Sequence, residues 1–400
     1  MSEWPVIRLG ACLRAPPDYG ANAAAVPFAS GLPRYVRITD VANDGTLLPG
    51  DAVSVPPEFA DGALLEEGDI VFARSGATVG KTLLYTPADG ECAFAGYLIR
   101  FRTDSGKLLP EFLSLYTRTG AYWRWVARTA HAGAQPNISA QEYLDLPVPG
   151  PAIREQEAIV RTVSAWEGAQ RKLGALLDAK HRFKRRLAQQ LLTGKRRFKE
   201  FENAPWNGVR IGELFEEVSR PIQWDDEAFY DLVSIRRRSG GVFHRSRTQG
   251  RAIKTKQLFE VREGDFLISK MQVVHGALGL VPAHLDGMKV SGSYVVLRNK
   301  RPDLLYLAFF DQLSRLPQMY RQALLASYGV HIEKMTFNLE WYLRSTIRIP
   351  SLMKEQESIT STLTALDREL ELLERLRDAL DSQRRGVAEL LLTGKVRVPA

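Results

Sequence analysis

The run SGATVGKT (75–82) carries the glycines, lysine and threonine of a phosphate-cradling loop. Such a loop wraps phosphates in backbone N–H groups, and it needs four residues between its glycines and a helix after its lysine. Here three residues separate Gly76 from Gly80, and the following LLYTPADG reads as strand and turn. The run is therefore either a plain strand-turn-strand or a glycine-rich hairpin whose Arg74, Ser75 and Lys81 meet nucleic-acid phosphate. Other catalytic signatures fail on spacing or context. APPDY and VPPEF do not match the [NDS]PP[YF] run of an amino-methyltransferase, and Asp178-Ala179-Lys180 spells a nuclease-like D-x-K inside a helical pattern. Cys12 and Cys92 are the two cysteines, and no CxxC accompanies the six histidines, so neither a disulfide framework nor a metal site is expected.

Cations are better placed. SIRRRSGGVFHRSRTQGRAIKTK (234–256) holds Arg236, Arg237, Arg238, Arg245, Arg247, Arg251, Lys254 and Lys256 without an acid. Clustered cations gain from counterion release on a polyanion, and arginine is shaped to read guanine in the major groove. The parallel place earlier in the chain is RYVRITDVAND (34–44), with Arg34, Arg37, Thr39 and Asn43 as candidates. In AYWRWVARTAHAGAQPNIS (121–139) the tryptophans bury the helix in its own domain, whereas Gln135 and Asn137 either pair with adenine or cap a turn. Basic residues from Lys180 to Arg197 crowd the end of a long helical segment, where the helix dipole, a partner or DNA would each favour them.

The elements behind these residues begin with charge distribution. Net charge is +8, but residues 1–150 carry 12 cations against 16 acids, while 151–205 carry 13 against 6. The excess sits in the middle helix and the second half. An apolar content of 45% suits packed cores, and 400 residues suit two or more domains. The N-terminus lacks a secretory pattern, and no run approaches the ~18 apolar residues of a membrane span, so a cytoplasmic chain is expected.

Sliding the chain by 200 residues superimposes EQE at 155–157 on 355–357 and LLTGK at 191–195 on 391–395, with about 17 of 41 positions identical. Such a repeat governs the fold. Both copies predict long helices. Ile159, Val163, Trp166, Leu173, Leu177, Leu187 and Leu191 form one apolar stripe, and Ile359, Leu363, Leu366, Leu370, Leu373, Leu380, Val387 and Leu391 the other. Gly194 and Gly394 fall where a C-terminal cap belongs. At ~1.5 Å per residue each helix is roughly 55–60 Å long. Ahead of the helices, EEGDIVFARSG (66–76) answers REGDFLISKMQ (262–272), which sets Lys270 at the place of Arg74. Each preceding stretch mixes short strands with one amphipathic helix, LPEFLSLYTRTGAYWRWV or PDLLYLAFFDQLSRLPQMYRQAL.

The expected fold is α+β. Two mixed α/β domains (1–150 and 204–350) alternate with two spacer helices (151–203 and 351–400) that form an antiparallel intramolecular coiled coil with pseudo-two-fold symmetry. Two dissimilar heads on a stiff spacer suit a duplex, whose faces repeat about every 34 Å, and would read an asymmetric, two-part site with an unread gap.

The chain resembles the specificity (S) subunit of type I restriction–modification systems. The resemblance rests on the REQEAI and KEQESI entrances, the LAQQLLTGKRRF and VAELLLTGKVRV exits, and the GDIVFARSGATVGKT and GAQPNIS segments. It implies a non-catalytic subunit with two target-recognition domains, which binds double-stranded DNA and methyltransferase (M) subunits and, through them, motor-nuclease (R) subunits. No cofactor is implied on this chain; S-adenosylmethionine, ATP and Mg belong to the partners. Two alternatives stay open: specificity for a stand-alone adenine methyltransferase without a nuclease, and a self-contained nuclease or NTPase. ISKMQVVHGALG departs from the RSGATVGKT wording in the second domain.

Overall fold

The structure, a computed structural model, describes residues 4–130, 136–329 and 335–398. The chain divides into two compact units, Met1–Ala175 with Arg375–Ala400, and Leu176–Glu374. Each unit therefore combines a globular domain with part of both long helices, Ile153–Leu191 and Met353–Leu392.

In the first unit, Ile70–Ala73 lies inside a four-stranded antiparallel sheet, between Leu98–Phe101 and Thr82–Leu84, with Asp18–Tyr19 at the other edge. All eight residues of the two inner strands are buried, which explains why Ile70–Ala73 reads as an unbroken apolar run and why Arg100, in the other strand, needs internal partners. A second sheet orders Val26–Pro27, Val53–Ser54, Arg34–Val36 and Cys92–Phe94, the last two strands being parallel. Val6–Arg8 pairs with Pro147–Pro149, so the two ends of the domain are pinned together where the first long helix starts.

The second unit repeats this plan with its own residues. Phe266–Ser269 lies between Tyr294–Asn299 and Leu278–Leu280, and Phe215–Glu217 forms the edge. The companion sheet orders Val242–Gln249, Phe229–Ile235, Lys289–Ser291 and Leu258–Glu260, and Trp206–Arg210 pairs with Thr346–Pro350.

The GD motif has one cause in both units. Gly68 and Gly264 take positive φ values of 86° and 81°. The following aspartate then accepts the backbone N–H three residues back: Asp69 from Glu66 at 3.0 Å, Asp265 from Arg262 at 2.8 Å. Each buried carboxylate is matched by a guanidinium, Arg100 for Asp69 and Arg220 for Asp265.

One expectation needs correction. The single amphipathic helix foreseen in each domain is two. The first domain has Pro110–Tyr116 and Gly120–Thr129, broken where the Thr119 side chain accepts from the Tyr122 N–H and caps a new helix. The second has Leu307–Ser314 and Pro317–Leu325, where Pro317 has no N–H to continue the first helix but suits the first turn of the next.

The long helices are antiparallel within each unit. In the first, Glu167 meets Arg384 at 3.5 Å and Gln170 donates to Asp381 at 3.1 Å, so one residue number falls as the other rises. In the second, Lys184 pairs with Asp367, Lys180 with Glu369 at 2.6 Å and His181 with Glu374 at 3.3 Å. Glu167–Arg384 and Asp367–Lys184 are one contact written once per repeat. Much of the basic crowding after Lys180 is thereby explained as helix-to-helix pairing.

Ile159, Val163, Leu173, Leu177, Ile359, Leu363 and Leu370 are buried, while Trp166, Leu187, Leu366, Leu373, Leu380 and Val387 are half-buried. The stripe does more than join helix to helix. Ile159 and Val163 enter the first domain's core together with Leu391 and Leu392. Ile359 and Leu363 enter the second's with Leu191 and Leu192. Each LLTGK thus ends a helix inside the core of the other copy's domain.

Glu-Gln at the helix entrances fixes both joins. Gln156 accepts from the Leu109 N–H at 2.8 Å and donates to the Lys107 and Pro151 carbonyls. Gln356 accepts from Tyr306 at 2.9 Å and donates to Leu304 and Pro350. Every partner of the two glutamines is backbone, so these bonds make no demand on the domain's side chains. Glu355 receives Arg197 at 2.9 and 2.6 Å and the Trp206 indole at 3.2 Å. Glu155 receives Arg397 at 2.7 Å and the Trp4 indole at 3.1 Å. The capping glycines complete the motif: a Cβ on Gly194 would sit 3.2 Å from the Trp206 ring, and one on Gly394 2.8 Å from Trp4. Both have positive φ, 72° and 73°.

The repeats are not identical in their hydrogen bonding. Tyr143 donates to the Ala73 carbonyl at 2.9 Å, whereas its counterpart Tyr342 is fully buried with its hydroxyl unpartnered. Tyr143→Phe should cost about 1 kcal/mol. Tyr342→Phe should be neutral or stabilising, because it removes a buried polar atom that has no partner. Denaturant midpoints of the two variants check the difference.

Candidate nucleic-acid interface

In the first domain the structure brings two of the singled-out segments together. Ser75 bridges Asn137 as an isolated antiparallel pair, Gly76 donates to the Pro136 carbonyl at 2.9 Å, and Ile138 donates to the Arg74 carbonyl at 2.8 Å. Gly76–Thr78 is a short 3-10 turn followed by the strand Thr82–Leu84, so no helix N-terminus is available for a nucleotide phosphate. The Arg74 guanidinium lies 5.1 Å from the centre of the Tyr19 ring, and the Arg74 N–H donates to the Tyr97 carbonyl. Tyr19 and Tyr97 are 47% and 62% exposed, large aromatic surfaces beside a cation that sequence reading passed over. Gln135 lies outside the described residues.

Other candidates in this domain divide. Thr39 and Asn43 are exposed. Arg37 is committed internally, with Nε and Nη2 on the Asp40 carboxylate at 3.0 and 2.9 Å and Nη2 also on the Asp51 carbonyl. Hydrogen bonding to Asp40, opposed by burial, holds its pKa above the usual arginine value. Lys81, half-buried, donates to the Val41 carbonyl at 3.1 Å, and Arg34 to the Leu48 carbonyl at 2.6 Å. These three hold the domain's own backbone.

Lys270 occupies the place of Arg74: its N–H donates to Ser293, its carbonyl accepts from Phe337, and its Nζ reaches the Gly292 carbonyl at 2.9 Å. The basic run is mainly a hairpin, Phe229–Ile235 with Val242–Gln249, the second strand being the outer edge of its sheet. The hairpin tip passes through left-handed Arg238 and Ser239 and donates to the His275 and Gly276 carbonyls at 2.7 and 2.9 Å. The run has no acid of its own, but the fold supplies some. Lys256 pairs with Asp226 beside the Trp224 ring, and Arg251 faces Glu227 at 4.0 Å and Gln249 at 2.9 Å. Arg236 lies 4.1 Å over Phe243 and Arg247 5.8 Å over Phe229. Arg237 also has a partner. Arg245 and Lys254 are exposed and have no ion pair among the described residues.

Among the described residues no group of histidine, cysteine and acidic side chains could hold a metal. Trp125 is buried and stacks on Tyr122. Both cysteines are buried, and burial pushes their thiols up, Cys92 to about 11, away from the reactive thiolate form. No helix among the described residues is long and apolar enough to cross a membrane.

No family model matches the chain. The Methanocaldococcus jannaschii protein named as the type I restriction enzyme MjaX specificity subunit is 22% identical over 354 residues, covering 83% of this chain and 79% of that one. The HsdS subunit from Thermoanaerobacter tengcongensis superposes with a TM-score of 0.56 at 16% identity, covering 99% and 98% of the two chains. The S subunit of the M. genitalium type I restriction–modification system gives 0.54 at 14%, covering 97% and 96%. A chain from a structure addressing complex assembly and conformational transition of the type I R-M system gives 0.57 at 15%, covering 99% of each. The fold is that of type I restriction–modification specificity subunits. The resemblance carried by the repeated helix entrances and exits extends over nearly the whole chain.

Proposed function

We propose that this chain is the non-catalytic DNA-recognition subunit of a type I restriction–modification complex. It reads a bipartite, asymmetric site, one half per domain, and docks methyltransferase and, through them, restriction subunits. The observation that carries this reading is the repetition of one domain plan with unlike surface residues, each copy anchored to its helix entrance by a glutamine that bonds only backbone groups. An anchor of this kind makes no demand on the exposed surface, which lets the two domains differ in what they read. In the first domain Arg74, Ser75, Thr39, Asn43 and Asn137 are the proposed contacts. In the second they are Arg238, Arg245, Arg247, Lys254 and Lys270. Contacts to phosphate position the protein, and contacts to base edges specify sequence.

Exchanging residues 211–345 for another recognition domain, inside the closing strand pair Trp206–Arg210 and Thr346–Pro350, tests this directly. Mapping methylated adenines in a host that carries the partner methyltransferase should show one half of the site replaced and the other half unchanged. A change in both halves together, or in neither, would refute the two-reader scheme.

A further inference from the structure

The hairpin in the second unit contains an irregularity that singles out one arginine. Leu232 pairs with Ser246 and Val233 with His244, so Arg245 has no residue opposite it. It is the extra residue of a β-bulge, and bulges turn a side chain away from the direction that regular alternation would give it. The strand carrying it is the sheet's outer edge, so its far side is unpaired by any strand among the described residues. Arg245 lines a concavity of about 350 Å³ together with Lys254 and the hydroxyl-bearing Thr248, Thr255 and Ser291. Lys289 lines it too, but is already held by Glu260 at 3.1 Å.

Four neighbouring cations do not share this freedom. Arg236, Arg247, Arg251 and Lys256 lie against aromatic rings, a glutamine or acids of the domain itself. Among the described residues Arg245 alone combines an edge strand, a bulge and a guanidinium without an acid partner. A two-stranded ribbon fits the major groove, and the guanidinium fork matches O6 and N7 of guanine. An ammonium group is a point charge suited to a phosphate oxygen.

Resting on the DNA-recognition reading, we propose that Arg245 reads a guanine in the half-site of the second domain, while Lys254 holds a nearby backbone phosphate. The test uses the full chain and a pool of duplexes with randomised base pairs, retained at low and moderate salt and sequenced. Arg245→Ala should lose preference at one G·C pair in one half of the motif, roughly ten- to a hundredfold. It should leave the remaining positions and the thermal midpoint unchanged. Arg245→Lys should keep overall binding but not that preference. Lys254→Ala should weaken all sequences alike and flatten the salt dependence. If Arg245→Ala keeps the full motif, or lowers every sequence equally, this inference falls and the recognition reading stands. A wild-type chain that enriches no motif removes both.

Discussion

Replacing Arg197 with methionine should destabilise the second unit by about 3–5 kcal/mol, the usual cost of leaving one member of a buried ion pair behind. The Glu355 side chain is 1% exposed, and two of its hydrogen bonds come from Arg197. After substitution only the Trp206 indole remains on that carboxylate. Adding Glu355→Gln to Arg197→Met should recover much of the loss, since a neutral amide is far cheaper to bury than an unpaired charge. The thermal midpoint of the second unit, followed by hydrogen exchange across 206–350, reads both outcomes. The equivalent change at Arg397 should matter less, because that side chain is 37% exposed and water can replace it on Glu155. Equal losses at the two sites would show that burial does not govern the lock.

The second large effect is expected at Arg100, which is 3% exposed. Its guanidinium donates to Asp18 at 2.5 and 3.1 Å, to Asp69 at 3.2 Å, and to the carbonyls of Leu64 and Gly62 at 2.6 and 2.9 Å. Arg100→Leu leaves Asp69, itself fully buried, with the Glu66 N–H and the Arg102 Nε at 3.4 Å. A loss of about 3–5 kcal/mol, or failure of the first unit to fold, should follow. Limited proteolysis should then cut within 4–130 while 206–329 stays protected, because the second unit uses Arg220 on Asp265 instead. Proteolysis spread evenly over both units would show that they unfold as one.

Much of this architecture was legible in the letters. The spacing of Ile359, Leu363 and Leu370, the capping glycines and the duplicated EQE announce two equivalent helices before any coordinate is seen. What escaped is what depends on distant partners. Neither copy of LLTGK says that its leucines belong to the other copy's domain core, because each copy read alone is an ordinary helix end. The strict recurrence of a tryptophan, a Glu-Gln pair and an arginine at matching places in both repeats was the signal available. The basic run after Ser234 read as a uniform tract, although Ser239-Gly240-Gly241 marks a hairpin turn within it. Asp226 and Glu227, which neutralise part of that tract, lie just ahead of the hairpin and pack back along it.

Leu391, Leu392 and Val398 pack into the same core as Leu9 and Trp4. On the ribosome, the first of the two domains to emerge must therefore wait for the end of the second long helix before its apolar interior is sealed. A nascent chain would hold that surface open throughout elongation, a standing invitation to chaperones. A premature stop near codon 386 would harm the opening domain first, leaving the later one, closed by Leu191 and Leu192, intact.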